Sequence, residues 1–218
     1  MAQFLVTGGS GFIGSHLCRK LLGEGHGVRV LDNLSSGKRE NLSDVADDID
    51  FLEADLLDED ALQRAVKGVE YVLHHAAVAS VQTSVEQPLM EQQINSVGTL
   101  RLLEAARQAG VRRVVFAASA AAYGNDPRVP KREDMRPTPE SPYAISKLVG
   151  EYYCGAYSRL YGLETVCLRY FNVYGPCQDP TSPYSGVISI FAKRMLNGQA
   201  PLVHGDGLQT RDFVSVHD

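Results

Sequence analysis

The stretch VTGGSGFIGSHL, residues 6–17, decides the expected fold. It follows the apolar run Phe4-Leu5-Val6, which predicts a short buried strand. Within and after it, Ile13, Leu17 and Leu21 recur at the spacing of one helix face. A strand, a glycine turn and a helix in this order leave backbone N–H groups at the positive end of the helix dipole. The stretch therefore predicts a bound dinucleotide whose pyrophosphate lies at the turn.

The glycine spacing and a downstream carboxylate strengthen this prediction. Gly8, Gly11 and Gly14 fit the spacing G-x-x-G-x-x-G, and a G-x-G-x-x-G frame overlaps it. A second apolar run, Val28-Arg29-Val30-Leu31, ends in Asp32, 18 residues beyond Gly14. A carboxylate at that strand end can accept hydrogen bonds from the adenosine ribose and would repel a 2′-phosphate. The sequence therefore favours NAD over NADP.

Length, charge and cysteine content exclude several classes of protein. The 218 residues are enough for one sizeable α/β domain and the start of another. The net charge is −5 with no basic cluster, so we expect no nucleic-acid partner. No apolar run approaches the roughly 20 residues of a membrane span, and no secretory signal precedes the first strand. The four cysteines lie far apart, which favours a reducing cytoplasm over disulfides or a zinc site, so we expect no metal.

Strand-like and helix-like runs alternate along the chain, which predicts an α/β fold with a doubly wound parallel sheet. The predicted strands are 4–6, 28–31, 49–52, 70–75, 114–116, 164–169 and 213–216, and the predicted helices are 58–67, 84–110 and 142–161. Pro and Gly become dense after Tyr174. We therefore expect a dinucleotide-binding domain over 1–172 and the beginning of a smaller substrate-binding region over 173–218, which we expect to be incomplete.

The segment Ser141-Pro142-Tyr143-Ala144-Ile145-Ser146-Lys147 predicts the catalytic groups. On a helix, Tyr143 and Lys147 are four residues apart and share a face. An ammonium beside a phenol favours the phenolate and would lower the pKa of Tyr143 from about 10 toward working pH. Such a phenolate is a general base for a sugar hydroxyl. Ser119, directly after the fifth predicted strand, falls at the ligand-binding edge and could hold the reacting oxygen.

With these residues in place, the chain resembles the extended short-chain dehydrogenase/reductases, specifically the nucleotide-sugar 4-epimerases of the UDP-glucose and UDP-N-acetylglucosamine type. The resemblance covers essentially the whole chain. The matching segments are TGGSGFIGSHL (7–17), DNLSSGK (32–38), Asp55-Leu56, HHAAVASV (74–81), Asn95, SPYAISK (141–147), LRYFNVYGP (168–176), QDP (178–180) and GDGLQTRDF (205–213). The resemblance implies a Rossmann fold, bound NAD and a UDP-sugar substrate.

The resemblance also implies a cofactor-binding set. Asp32 and Asn33 would hold the adenosine ribose, and Asp55 would flank the adenine. Phe171 would pack near the nicotinamide. The full set is Gly8, Gly11, Phe12, Ile13, Gly14, Asp32, Asn33, Ser36, Asp55, Leu56, His75, Ala76, Ala77, Asn95, Tyr143, Lys147 and Phe171.

The implied substrate-binding residues lie mostly in the second half of the chain. Asn172 would contact the sugar diphosphate, and the guanidinium of Arg211 would pair with its phosphates. Val187 and His204 match positions that line the uridine pocket, although plain loop packing explains these two equally well. The full set is Ser80, Ser119, Asn172, Val187, His204 and Arg211.

The resemblance implies inversion at C4 of a UDP-hexose through a transient 4-keto sugar. Related 4,6-dehydratases carry an acidic pair after the serine, whereas Ala120 and Ala121 stand here, which disfavours dehydration. Two alternatives stay open. A UDP-N-acetylglucosamine 4-epimerase is favoured by Gln178 and the small Ala79, and an early chain end would leave an NAD-binding sensor without catalysis. The two long predicted helices could also form a four-helix interface in a homodimer.

Overall fold

Six parallel strands form the central sheet of the computed structural model, which describes residues 1–179, 186–203 and 205–218. The strands are β1 (Gln3–Thr7), β2 (Gly27–Asp32), β3 (Ile49–Glu53), β4 (Tyr71–His74), β5 (Arg113–Ser119) and β6 (Glu164–Tyr170). Their order is β3-β2-β1-β4-β5-β6. The order reverses between β1 and β4, which opens a crevice at the carboxyl edge of the sheet. The predicted doubly wound parallel sheet is confirmed.

Helices connect the strands on both faces of the sheet. They are α1 (Phe12–Gly23), α2 (Glu59–Val66), α3 (Val81–Glu86), α4 (Pro88–Gln92), α5 (Gly98–Gln108), α6 (Pro142–Tyr161) and α7 (Val187–Leu196). Asp58 caps α2 by accepting a hydrogen bond from the Ala61 N–H at 3.0 Å. Ser141 caps α6 in the same way from the Ala144 N–H at 3.1 Å. None of the described helices is long and apolar enough to cross a membrane.

Two predicted boundaries are wrong. The single helix expected over 84–110 begins at Val81, breaks at Gln87 (φ −133°, ψ 60°) and continues through a π-helical stretch, Gln93–Val97, into α5. Pro88 causes the break, because it lacks an N–H and its ring forces the preceding residue out of helical geometry. The fifth strand is longer than predicted, so Ser119 is its last residue and does not follow it.

The core lies on both faces of the sheet. Leu5 belongs to a large cluster formed with residues of α2, α5 and α6, whereas its neighbour Val6 belongs to a second cluster with Cys18 of α1 and Val30 of β2. Successive strand side chains point to opposite faces, so β1 contributes to both clusters at once. Burial on both faces explains why the strands read as nearly continuous apolar runs.

The last part of the chain forms a second, smaller unit of structure. Two short parallel strands, β7 (Asn172–Tyr174) and β8 (Phe213–Ser215), pair with each other, and the latter confirms the predicted strand over 213–216. His16 of α1 contacts the Pro176 carbonyl at 2.9 Å, and Lys38 pairs with Asp179 at 2.8 Å. The predicted division at 172/173 falls at the first residue of β7 and stays a prediction.

Candidate functional site

Two glycines in and next to the turn between β1 and α1, Gly8 and Gly14, have no room for a side chain. Gly8 adopts φ +70°, and a Cβ there would lie 2.7 Å from the Ala76 nitrogen. A Cβ on Gly14 would lie 2.1 Å from the Gly8 carbonyl oxygen. No side chain caps the start of α1, where Gly11 is the capping residue. The first N–H groups of the helix, including those of Phe12 and Ile13, are therefore available to an anion.

Asp32 ties the end of β2 to this turn. Its side chain is 7 % exposed, and its two oxygens accept hydrogen bonds from the N–H groups of Ser10 (2.9 Å) and Leu34 (2.8 Å). Each carboxylate oxygen has a second lone pair, so the group can still accept a hydrogen bond from a ribose hydroxyl. Ser36, predicted to lie beside it, is exposed in the loop after β2.

The residues expected around the adenine lie on neighbouring strand ends. The Asn33 amide donates to the Asp55 carboxylate at 2.7 Å, so the ends of β2 and β3 are joined. The other Asp55 oxygen accepts from the Leu57 N–H at 2.8 Å. Leu56 is buried in the larger core cluster. The structure thus brings Asn33 and Asp55 together and places the Leu56 side chain in the core.

A hydroxyl at the end of β1 holds the loop that follows β4. The Thr7 Oγ1 accepts hydrogen bonds from the N–H groups of His75 (3.2 Å) and Ala76 (3.1 Å). Ala77 follows directly. All three belong to the predicted cofactor-binding set, and His75 and Ala76 lie beside Gly8 at the carboxyl edge.

His74 completes this support and was not predicted to take part. Its ring bridges the hydroxyls of Thr7 (Nδ1, 2.7 Å) and Thr99 (Nε2, 2.9 Å). The Thr99 hydroxyl donates to the Asn95 carbonyl at 2.5 Å, so Nε2 of His74 donates to Thr99 and Nδ1 accepts from Thr7. Burial lowers the pKa of His74 well below its usual value, which keeps the ring neutral. Threonines spaced so far apart in sequence gave no signal of this network.

Asn95 lies in the π-helical stretch and fixes the loop after β4 from the other side. Its Oδ1 accepts from the Val78 N–H at 2.8 Å, and its Nδ2 donates to the Val78 carbonyl at 3.1 Å. Its Nδ2 also donates to Glu91, a fully buried carboxylate that the sequence gave no reason to select.

Ser119, Tyr143 and Lys147 converge at the end of β5. The Ser119 side chain lies close enough to the Tyr143 phenol to lower its pKa. The Lys147 ammonium donates to the Ala117 carbonyl at 2.8 Å and lies 5.8 Å from the centroid of the Tyr143 ring. The Ser119 Oγ accepts from the Ala121 N–H at 3.2 Å. The three predicted catalytic side chains therefore occupy one place.

The electrostatics of this place differ from the expectation. Burial raises the pKa of Tyr143, the Ser119 side chain lowers it, and the charge of Glu91 raises it further. Burial lowers the pKa of Lys147 to about 8, and Glu91 acts against this change. Lys147, whose ammonium donates to the Ala117 carbonyl, is not among the groups that shift the pKa of Tyr143. His75, whose Nε2 contacts the Tyr170 hydroxyl at 3.2 Å, has its pKa lowered to about 4 by burial.

The predicted substrate residues are more scattered. Phe171 stacks on Tyr123 with ring centroids 6.4 Å apart. The Asn172 side chain donates to the Asp212 carbonyl at 2.9 Å, which places it beside the strand pair β7–β8. Arg211, one residue before Asp212, is exposed, and its guanidinium donates to the Thr210 carbonyl.

The remaining three have different placements. The Ser80 hydroxyl accepts from the Thr83 N–H at 2.9 Å and so caps α3. Val187 is the half-exposed first residue of α7. His204 lies outside the described residues. Among the residues that the structure describes, no group of three or more His, Cys, Asp or Glu is placed to hold a metal ion.

Comparison with known proteins identifies the family. A sequence model of the NAD dependent epimerase/dehydratase family matches residues 4–218. The chain belongs to this family. It is 47% identical over 218 residues to a putative UDP-glucose 4-epimerase of Methanocaldococcus jannaschii, a match that covers 99% of this chain and 70% of that protein.

Solved structures of the family are also similar. A UDP-N-acetylglucosamine 4-epimerase from Methanobrevibacter ruminantium, in complex with UDP-N-acetylmuramic acid, superposes with a TM-score of 0.95 at 44% identity, covering 99% of this chain and 69% of that one. A Thermus thermophilus UDP-glucose 4-epimerase in complex with NAD superposes with a TM-score of 0.89 at 46% identity, covering 98% and 70%. The predicted family, fold class and NAD cofactor are confirmed.

Proposed function

We propose that the protein catalyses the reversible inversion of configuration at C4 of a UDP-hexose, interconverting UDP-glucose and UDP-galactose through a 4-keto sugar. The convergence of Ser119, Tyr143 and Lys147, at the same edge of the sheet as the glycine turn, carries this proposal. Bound NAD supplies the chemistry of accepting a hydride from C4 and returning it. Several relatives are named UDP-glucose 4-epimerase, which supports a UDP-hexose as the substrate.

The glycine turn fits the pyrophosphate of this cofactor. The uncapped start of α1 offers N–H groups, and a side chain at Gly8 or Gly14 would fill the cradle. Asp32 and Asn33 would hold the adenosine ribose, with Asp55 beside the adenine. His75, Ala76 and Ala77 would form the floor of the cofactor site.

Proton transfer is assigned to the three convergent side chains. Ionised Tyr143 takes the proton of the C4 hydroxyl as the C4–H bond gives up its hydride, and it returns that proton when the sugar is reduced on the other face. The Ser119 hydroxyl holds the C4 oxygen beside the phenol. Lys147 carries its positive charge below about pH 8, and a positive charge near the phenol favours the phenolate.

The turn after Ser119 supports epimerisation over dehydration. Residues Ala120–Tyr123 form a 3₁₀ turn, in which Ala120 and Ala121 occupy the first two positions. A methyl group can neither give nor take a proton. Loss of water across C5 and C6 would need an acid and a base there, so the chemistry stops at oxidation and reduction of C4.

For the substrate we assign Asn172 and Arg211 to the diphosphate and Val187 with His204 to the uridine, while Phe171 packs near the nicotinamide. Asn172 and Arg211 flank the same strand pair, which supports a common ligand. A panel of UDP-hexoses and their N-acetylated forms distinguishes the plain sugar from the N-acetyl one. A protein that binds NAD and turns over none of them would be the sensor alternative.

We also propose a homodimer in the cytoplasm. α3 and α4 pack on α6, and this face leaves apolar side chains exposed: Val81, Val85, Leu89, Ile145 and Tyr152. Leu148 and Tyr157 of α6 are buried within the chain and do not add to this face. Exposed apolar patches of this kind mark protein–protein interfaces.

Replacing the phenol tests the assigned reaction. We expect Tyr143→Phe to slow the interconversion of UDP-glucose and UDP-galactose by about 10²–10⁴-fold, because the general base is lost. NAD binding, followed by titration, should stay close to that of the parent protein. Near-normal interconversion in the variant would show that Tyr143 is not the base.

A further inference from the structure

Glu91 of α4 is a carboxylate with no exposed surface and no part in the reaction proposed above. Its Oε1 accepts hydrogen bonds from the Asn95 amide and from the Ser146 hydroxyl (2.5 Å). Its Oε2 accepts from the Gln92 amide at 2.9 Å. Three donors therefore surround its two oxygens, which only accept hydrogen bonds when the carboxyl is ionised.

Two of these donors connect Glu91 to the start of α6. Ser146 directly precedes Lys147 in the chain. The Gln92 amide also donates to the carbonyl of Pro142 at 2.9 Å, and Pro142 directly precedes Tyr143. Each of the two proton-carrying residues is thus adjacent to a residue that is tied to Glu91.

The third donor connects Glu91 to the cofactor side of the crevice. Asn95, one helical turn further along, is hydrogen-bonded to both backbone groups of Val78. Val78 follows the segment His75–Ala77 that forms the proposed cofactor floor. The π-helical stretch Gln93–Val97, a rare geometry found at functional sites, begins two residues after Glu91 and contains Asn95.

We propose that Glu91 is a positioning residue for the Tyr143–Lys147 pair. It fixes the first turns of α6 against the loop after β4, and it places a buried negative charge beside the two side chains that carry protons. The inference rests on the proposed function, because it assumes that Tyr143 and Lys147 perform the proton transfer.

The charged groups around the Tyr143–Lys147 pair determine in which direction Glu91 shifts their pKa values. His74 at the end of β4 and His75 directly after it both feel the charge of Lys147, and burial lowers the pKa of both. Tyr170 of β6 lies against His75, and burial raises its pKa. All three are therefore uncharged near neutral pH. Lys147 and Glu91 are left as the charged groups that these described elements bring to the site, and Glu91 raises the pKa of Tyr143 and of Lys147.

Glu91→Gln tests the inference because glutamine keeps the shape and removes the charge. Tyr143 should then ionise at a lower pH, and Lys147 should lose its proton at a lower pH. We expect the bell-shaped pH profile of kcat to move to lower pH by about one unit. Glu91→Asp keeps the charge and should retain the parent profile.

Glu104→Gln is the matched control. Glu104 lies in α5, which continues from α4 through the π-helical stretch. Its carboxylate also accepts a hydrogen bond from α6, donated by the Tyr157 hydroxyl at 3.1 Å. Tyr157 is about 21 Å along α6 from Tyr143 at 1.5 Å per residue, well beyond a Debye length of about 8–10 Å. This variant loosens the same helix pair and should leave the pH profile in place.

A second readout needs no substrate. The phenolate absorbance of the protein minus that of its Tyr143→Phe form reports the ionisation of Tyr143 directly. Its midpoint should fall by about one pH unit in Glu91→Gln and stay fixed in Glu104→Gln. If the parent protein epimerises no UDP-hexose but this midpoint still shifts, the proposed function fails and the electrostatic part of the inference stands.

Three results would overturn the inference. They are a folded Glu91→Gln variant in which neither readout shifts, a Glu104→Gln variant that shifts equally, and a Glu91→Asp variant that does not retain the parent pH profile. If Glu91→Gln does not fold, Ser146→Ala takes its place, because it removes one tether and keeps the charge. We expect Ser146→Ala to lower kcat several-fold at an unchanged phenolate midpoint. An unchanged kcat in that variant would contradict the positioning role.

Discussion

His74 and His75 are adjacent in sequence but have different partners. His74 bridges hydroxyls of β1 and α5, whereas His75 lies against Tyr170 of β6 with ring centroids 5.8 Å apart. Burial keeps both rings neutral in the folded protein. From the sequence they are only a pair of histidines at a strand end, because their partners come from distant segments that meet through the sheet order.

The neutral histidines predict a loss of stability in acid. An unfolded histidine has a pKa of about 6.5, and folding lowers the pKa of His75 to about 4. The unfolded chain therefore binds more protons below the higher value, so the free energy of unfolding falls as the pH drops from about 6.5 toward 4 and is unaffected by these groups above that window. Urea unfolding across this range measures the fall.

His75→Phe should make that fall shallower, because the ring stays but the protonation site goes. The variant keeps a flat side chain against Tyr170. A pH dependence as steep as in the parent protein would mean that His75 contributes nothing to acid unfolding.

At the scale of elements, helix α1 contains two glycines with opposite surroundings, one packed against the turn that follows β1 and one at the end of the helix. A Cβ at Gly14 would lie 2.1 Å from the Gly8 carbonyl, whereas a Cβ at Gly23, the last residue of α1, meets no atom within 4 Å. We expect Gly14→Ala to weaken NAD binding at least tenfold and to destabilise the fold by about 1–3 kcal/mol through overpacking. Calorimetric titration with NAD measures the first effect.

Gly23→Ala is the control for this substitution. Alanine is favoured over glycine in a helix by about 1 kcal/mol, so the variant should unfold at the same or a higher temperature and bind NAD as the parent does. Equal damage from both substitutions would show that the turn has no special need for Gly14.

Elements with strong local signals were predictable from the sequence. The strand–turn–helix at the start and α6 with its Ser141 cap follow from apolar spacing and cap residues. The helix expected over 84–110 was not, because apolar periodicity continues through the break at Gln87 and the π stretch, although Pro88 marked the place.

The meeting of Ser119, Tyr143 and Lys147 was predictable from the sequence, whereas their electrostatics were not. Ser119, Tyr143 and Lys147 meet because strand ends and helix starts share the carboxyl edge of a parallel sheet. The direction in which the pKa of Tyr143 moves depends on burial, on Ser119 and on the charge of Glu91. These are tertiary relations between residues that the chain keeps apart, and no spacing rule describes them.

At the scale of the whole molecule, the exposed apolar face on α3, α4 and α6 predicts association. Tyr152 is 63 % exposed on α6. If this face pairs two copies, Tyr152→Glu should shift sedimentation from dimer to monomer with little change in unfolding temperature, because the residue contributes little to the isolated fold. Val129→Glu, at an even more exposed apolar residue between β5 and α6, should sediment as the parent does. A monomeric parent protein would contradict the proposed dimer.

The position of β1 has a consequence for how this chain tolerates insertions and deletions. β1 pairs with β2 on one side and β4 on the other, with Thr7 opposite both Leu31 and His74, and it runs directly into Gly8. One residue gained or lost in β1 would exchange the side chains that point to its two faces and would move the glycine turn along the sheet edge. Substitutions here can affect folding or nucleotide binding separately, whereas a change in length would damage both in a single step.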